Sequence, residues 1–146
     1  MFLLDTNIYI AAFTRSPDQA GFRGFHARAL PQLVLSAVVV HELQVGAKGA
    51  GPRRQLDALI EVFRTRRRLH APSLTTWQLA APIDRDLRDL GGYSASLAQR
   101  SFANDILLAA SARELGATII THNLADFAVI GRVMPVKAAG PWPAVP

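Results

Sequence analysis

The sequence predicts a single α/β domain built on a central parallel sheet of about five strands, with helices on both faces. Three observations carry this. Short apolar, β-rich runs alternate along the chain with stretches of helical periodicity, the pattern of a sheet whose consecutive strands are joined by crossover helices. The 146 residues are 50% hydrophobic, enough to build one real core and too apolar for disorder. No repeat and no long linker divides the sequence. One domain over 1–146 is therefore expected, with 137–146 as an extended Pro-rich tail.

The first strand is read at Phe2 to Asp5, "FLLD", a short apolar run closed by an acid, and a short helix is expected from Asn7. Helical spacing follows from Gln19 to Ala29, then a strand from Leu33 to Ala37 and a helix from Val38 to Ala47. Arg53 to Arg67 reads as the next helix and Leu69 to Leu74 as the third strand. Thr76 to Leu90 is helical in pattern, and Pro82 inside it marks either a kink or the helix's true start. From Phe102 to Leu115 the reading is clearest. Ser101 suits the N-cap, Ile106, Leu108, Ala109, Ala112 and Leu115 form one apolar side, and Gly116 stops the helix. Thr118 to Thr121 is the fourth strand, a turn of helix starts at Leu124, and Val133 to Val136 is the fifth strand. The tail "AAGPWPAVP" is too rich in proline for a helix or a central strand. Trp142 is expected to pack back on the domain.

Composition narrows the function classes. No segment reaches the ~18 apolar residues of a membrane span, and the first apolar run lacks a basic leader and is cut at Asp5, unlike a secretory signal. Without cysteine, disulfides and thiolate metal sites are excluded, and the cytoplasm is the expected compartment. Sixteen Lys and Arg face eleven Asp and Glu, and only Lys48 and Lys137 are lysines, so the excess is arginine. Guanidinium forks match phosphate oxygens, which makes a polyanion a natural partner; a basic, well-solvated surface is the plainer reading. The densest run is "RTRRR", where Arg64, Arg66, Arg67 and Arg68 form either a solvated helix end or a phosphate-contacting patch. No Walker A loop or GxGxxG motif occurs.

The acids are distributed unevenly. In an open parallel sheet, ligands bind beyond the carboxyl ends of the strands, near a topological switch point. Asp5 ends the first strand, Glu42 lies one turn into the helix after "LVLSA", and Asp105 lies in the first turn of the helix from Phe102. Asn123 and Asp126 follow "TIIT". Singly, each has an ordinary explanation: Asp5 as a turn cap, Glu42 as a solvated helix residue, Asp105 as a partner for the helix dipole, and Asn123 with Asp126 as a capping box. Together they gather Asp5, Glu42, Asp105 and Asp126 at one edge. Two carboxylates ~5 Å apart repel by roughly 3 kcal/mol at an effective dielectric of 20. Such a cluster raises its own pKa values or binds a cation, and an all-oxygen donor set selects Mg²⁺ or Mn²⁺. Acids, a hard divalent ion and an arginine-rich surface point to phosphodiester hydrolysis. His41 and His122 adjoin these positions but show no metal-ligand spacing.

"LLDTNIYI", "SAVVVHELQVGA" and "SFANDILLAASARELGATIITHNLADF", in that order and spacing, resemble the PIN-domain family, most closely its VapC-type toxin ribonucleases. The "PW" near the end resembles the terminus of some members. The resemblance implies a Mg²⁺- or Mn²⁺-dependent endoribonuclease acting on RNA, usually a homodimer, silenced by a small cognate antitoxin protein. By position, Asp5, Glu42 and Asp105 match the family's acidic triad, with Asp5 and Asp105 on the metal and Glu42 binding it through water or orienting the attacking water. The fourth acidic position falls in "THNLADF", where Asn123 replaces the Asp of many relatives and Asp126 is the nearby acid. Thr6, Asn7, Thr121 and Asn123 are the expected supporting residues. The competing reading is a PIN-like module that binds RNA or a protein partner without cutting.

Overall fold

In the computed structural model, residues 1–14, 19–91 and 100–145 are described, except for the side chains of Arg100 and Ser101. The chain runs through β1 (Phe2–Leu4), α1 (Thr6–Phe13), α2 (Gln19–Ala29), a 3₁₀ turn (Leu30–Gln32) and β2 (Leu33–Ser36). It continues through α3 (Ala37–Gly46), α4 (Ala50–Thr65), β3 (Leu69–His70), α5 (Leu74–Leu90) and α6 (Arg100–Leu115). It closes with β4 (Thr118–Ile120), α7 (Leu124–Ile130) and β5 (Ala138–Ala139).

The sheet has five strands in the order β3-β2-β1-β4-β5, and every pairing is parallel. β1 is its centre. Phe2, Leu3 and Leu4 are all buried, as are Leu33 to Leu35 and Ile119 and Ile120 beside them. Strand order explains the layers. The chain moves one way from β1 to β2 to β3, then crosses back to β4 and moves the other way to β5. Right-handed crossovers therefore put α1 to α4 on one face and α5 to α7 on the other. The switch point lies between β1 and β4, the place where open parallel sheets bind their ligands.

Side-chain caps set the helix starts. Ser36 Oγ accepts from Val38 N, so α3 begins at Ala37, directly from the strand. Ser73 and Thr76 form a reciprocal capping box that starts α5 at Leu74. α5 then continues through Pro82 to Leu90, so the proline neither starts nor ends it. Gly91 and Gly116 follow α5 and α6 with positive φ (67° and 62°), which a side chain resists and glycine accepts. α4 begins at Ala50, ahead of the Arg53 expected. α6 begins at Arg100, so Ser101 lies within the helix rather than before it, and its side chain is outside the described residues.

The fifth strand is not Val133 to Val136. Val133 N and Met134 N both donate to Ile130 O and close the last turn of α7, and Pro135 has no N–H to offer a ladder. Pairing passes to the tail instead: Ile119 N donates to Lys137 O and Thr121 N to Ala139 O. Beyond that strand, Trp142 packs 5.7 Å from the Phe25 ring and 6.1 Å from the Phe22 ring. Among the described residues no helix is long and apolar enough to cross a membrane.

Candidate active site

The site is assembled where β1 and β4 end. Asp5 N donates the last ladder bond to Ile120 O (2.9 Å), and the backbone then turns into α1. Asp5 Oδ1 accepts from Thr6 N at 2.6 Å, so Asp5 caps α1. Its other oxygen accepts from Asn7 Nδ2 (2.6 Å) and Thr121 Oγ1 (2.7 Å). Thr121 Oγ1 in turn accepts from Asn7 Nδ2 (3.1 Å) and Asn123 N (2.9 Å), and Asn7 Oδ1 accepts from His122 N (3.1 Å). Asn7 and Thr121 thus stitch the two strand ends together and aim the Asp5 carboxyl, which is 6% exposed.

Glu42 projects from the second turn of α3 toward this point. Thr6 Oγ1 donates to its Oε2, and Asn104 Nδ2 donates to its Oε1 at 2.8 Å. Asp105 follows Asn104 on the first turns of α6. On α7, Asp126 accepts from Asn123 Nδ2. Asn123 therefore does not close the expected capping box: it stands at the N-cap position of α7 without a side-chain cap bond, because its amide is turned onto Asp126.

The charges of Asp5, Asp126 and Glu42 all act on Asp105. Burial raises the Asp105 carboxyl to about 8, and the charges of Asp5, Asp126 and Glu42 push in the same direction. No donor among the described residues offsets this. Burial also raises Asp5; the donors Thr121, Thr6 N and Asn7 oppose the shift, while the charge of Glu42 adds to it. Asp105 therefore holds a proton at neutral pH where a bound cation would otherwise balance the charge. The donor set is all oxygen, which suits a hard divalent ion. Among the described residues, however, no three His, Asp or Glu side chains are grouped closely enough to hold a metal ion as they stand. The fit is one of charge and donor chemistry, with the carboxylates not drawn together.

Two features of this region were not expected. Asn104 is one; its only sequence signal is a polar residue beside Asp105 on a helix start. The other is an apolar groove of about 280 Å³ beside Glu42, lined among others by Ile10, Phe13, Leu43, Pro52 and Leu56. Ile10 and Phe13 are 51% and 37% exposed there. The arginine run, by contrast, is not brought to the acids. Arg64 to Arg68 lead into the amino end of β3, the edge strand two places from β1. Arg64 pairs with Glu61 (2.6 Å), and Arg66 Nη1 donates to Val62 O (3.2 Å).

Residues 2–133 match the PIN domain. The chain belongs to the PIN-domain family. It is similar to ribonuclease VapC2 of Rickettsia felis, at 24% identity over 128 residues, covering 87% of this chain and 90% of that protein. Its fold is similar to that of VapBC2 from R. felis, solved bound to a DNA fragment from its promoter (TM-score 0.67, 21% identity, 97% of this chain and 98% of that one). FitAcB from Neisseria gonorrhoeae is also similar (TM-score 0.64, 21% identity, 99% and 100% covered), as is DNA-bound VapBC from Salmonella typhimurium (TM-score 0.64, 21% identity, 95% and 96% covered). The five-stranded parallel sheet is the fold these similarities share with the PIN assignment.

Proposed function

We propose that this chain is a divalent-metal-dependent endoribonuclease, the toxin of a type II toxin–antitoxin pair. The observation that carries the reading is the convergence of Asp5, Glu42, Asp105 and Asp126 on the switch point, with Asp105 raised to about 8 by burial and by the other three charges. A buried acidic cluster is costly to the fold and is retained where it has work to do. The similarity to a ribonuclease VapC2 names the chemistry that suits it.

Asp5 and Asp105 would supply carboxylate oxygens to Mg²⁺ or Mn²⁺, and Glu42 and Asp126 would contribute directly or through water. The bound cation supplies a Lewis acid for the phosphoryl group and lowers the pKa of the attacking water. The chain's residues do the positioning. Asn7 and Thr121 fix Asp5, Thr6 and Asn104 fix Glu42, and Asp105 would serve a cation in its ionised form. In-line attack by water on RNA leaves 5′-phosphate and 3′-hydroxyl ends, and no side-chain nucleophile is needed.

The partner side of the reading has its own support. The apolar groove beside Glu42 exposes Ile10 and Phe13, apolar surface of the kind a small antitoxin covers. The solved structures similar to this chain include VapBC assemblies. A homodimer working in the cytoplasm completes the proposal. The test is induction of the chain in bacterial cells, followed by sequencing of RNA 5′ ends. New ends at defined internal positions, absent with Asp5→Asn, are expected; no new ends would leave a non-cutting module.

A further inference from the structure

Glu42 has a long side chain, and its own helix does not fix its carboxylate. The charge of the nearby Asp5 carboxylate opposes its approach. Left alone, this carboxylate would swing toward solvent. It is held from two sides instead, by Thr6 Oγ1 of α1 on Oε2 and by Asn104 Nδ2 of α6 on Oε1 (2.8 Å). α1 and α6 lie on opposite faces of the sheet, so the carboxylate is clamped between the two helical layers at the edge of the cleft.

We infer that Asn104 is a positioning residue, which fixes the Glu42 carboxylate relative to Asp105 for a divalent cation or its bound water. The inference rests on the metal-dependent reading above. Three pieces of chemistry support it. Asn104 directly precedes Asp105, so one helical turn both carries one acid and orients another. An amide donates without neutralising charge, so the cluster keeps the negative charge that attracts a cation; Lys or Arg at this position would replace the cation. Each carboxylate oxygen has two lone pairs, and one donor on each leaves one on each free for the cleft.

The clamp also removes side-chain freedom before any cation arrives. Ordering a Glu side chain carries an entropic cost, so losing half of the clamp is expected to weaken binding by about two- to fivefold, roughly 0.5–1 kcal/mol. The experiment is calorimetric titration of Mn²⁺ into wild type, Asn104→Ala and Asn104→Gln, with single-turnover RNA cleavage and thermal melts in chelator on the same samples. Asn104→Ala is expected to weaken Mn²⁺ binding by that factor and to lower the cleavage rate, with KM for RNA within twofold and no loss of melting temperature. Asn104→Gln keeps an amide donor and is expected to recover part of both. A wild-type Mn²⁺ isotherm for Asn104→Ala overturns the positioning role alone. Failure of the wild-type protein to bind Mn²⁺ overturns the metal reading and this inference with it. A lowered melting temperature with unchanged Mn²⁺ binding makes Asn104 a fold residue and also overturns the inference.

Discussion

Replacing Asp105 with Asn should stabilise the metal-free protein, and increasingly so as pH rises from about 4 to 8. In the folded chain the Asp105 carboxyl is raised from 3.8 to about 8. Below about pH 4 it is protonated whether the chain is folded or not, and costs nothing. Between pH 4 and 8 the unfolded chain ionises it while the folded chain resists, so stability falls as pH rises. Above about 8 the full cost is present. The shift bounds that cost at about 6 kcal/mol. Asp105 is partly exposed, so water and side-chain relaxation reduce it to an expected ~2 kcal/mol. For a domain of this length, ~2 kcal/mol is roughly 6 °C of melting temperature. The proton is shared among coupled acids, so the pH dependence belongs to the cluster rather than to one residue. The assay is thermal melting of wild type and Asp105→Asn, in chelator, from pH 5 to pH 8.5. The gap should be smallest at pH 5 and widen to roughly 6 °C at pH 8.5. Adding Mn²⁺ should then raise wild type and leave the variant little changed. A gap between the two proteins that is constant with pH would refute the claim that Asp105 is held protonated by burial and its neighbours.

Other substitutions follow from the packing and the site. Among the described residues the buried Tyr9 hydroxyl has no hydrogen-bond partner, so Tyr9→Phe should raise stability by about 1 kcal/mol in urea titrations; a loss would mean that the hydroxyl has a partner. A Cβ on Gly21 would fall 2.2 Å from Trp142 Nε1, so Gly21→Ala should cost about 2 kcal/mol by expelling the indole from its seat against Phe22 and Phe25. In a Trp142→Ala background the same change should be nearly silent. Asp126→Ala should weaken Mn²⁺ binding less than Asp105→Ala does; if it changes only melting, Asp126 serves the start of α7. Replacing Arg66, Arg67 and Arg68 with Gln should flatten the salt dependence of RNA binding and leave the cleavage rate at saturation unchanged, because the run enters β3 away from the cleft.

What was legible in the sequence followed from local rules. β1, β2 and β4 are buried on both faces, so their apolar runs stand out against polar flanks. The order of strands and helices also predicts one sheet edge for Asp5, Glu42, Asp105 and Asp126, and the charges of the other three do act on Asp105. β5 was misread because Val133 to Val136 has the better strand composition, but two of its amides already serve the end of α7. Ala138 and Ala139 have weak strand preference and pair only because β4 offers an open ladder. Ser36 and Ser73 cap their helices in a way the sequence allowed but the expected helix boundaries overlooked. Asn104 was invisible for a different reason: its bond to Glu42 joins residues far apart in sequence. The arginine run was visible as charge, but composition does not say which end of a strand a charge will occupy.

The chemistry proposed for this acidic cluster is cleavage of RNA with a divalent ion. It is tested most directly by incubating the purified chain with a structured RNA in Mg²⁺ or Mn²⁺, in chelator, and with Asp5→Asn in the same metals, and then analysing the product ends. Internal cuts bearing 5′-phosphates, present only with wild-type protein and metal, are the expected result. Cutting that persists in chelator, or in an Asp5→Asn protein that melts as wild type does, would contradict it.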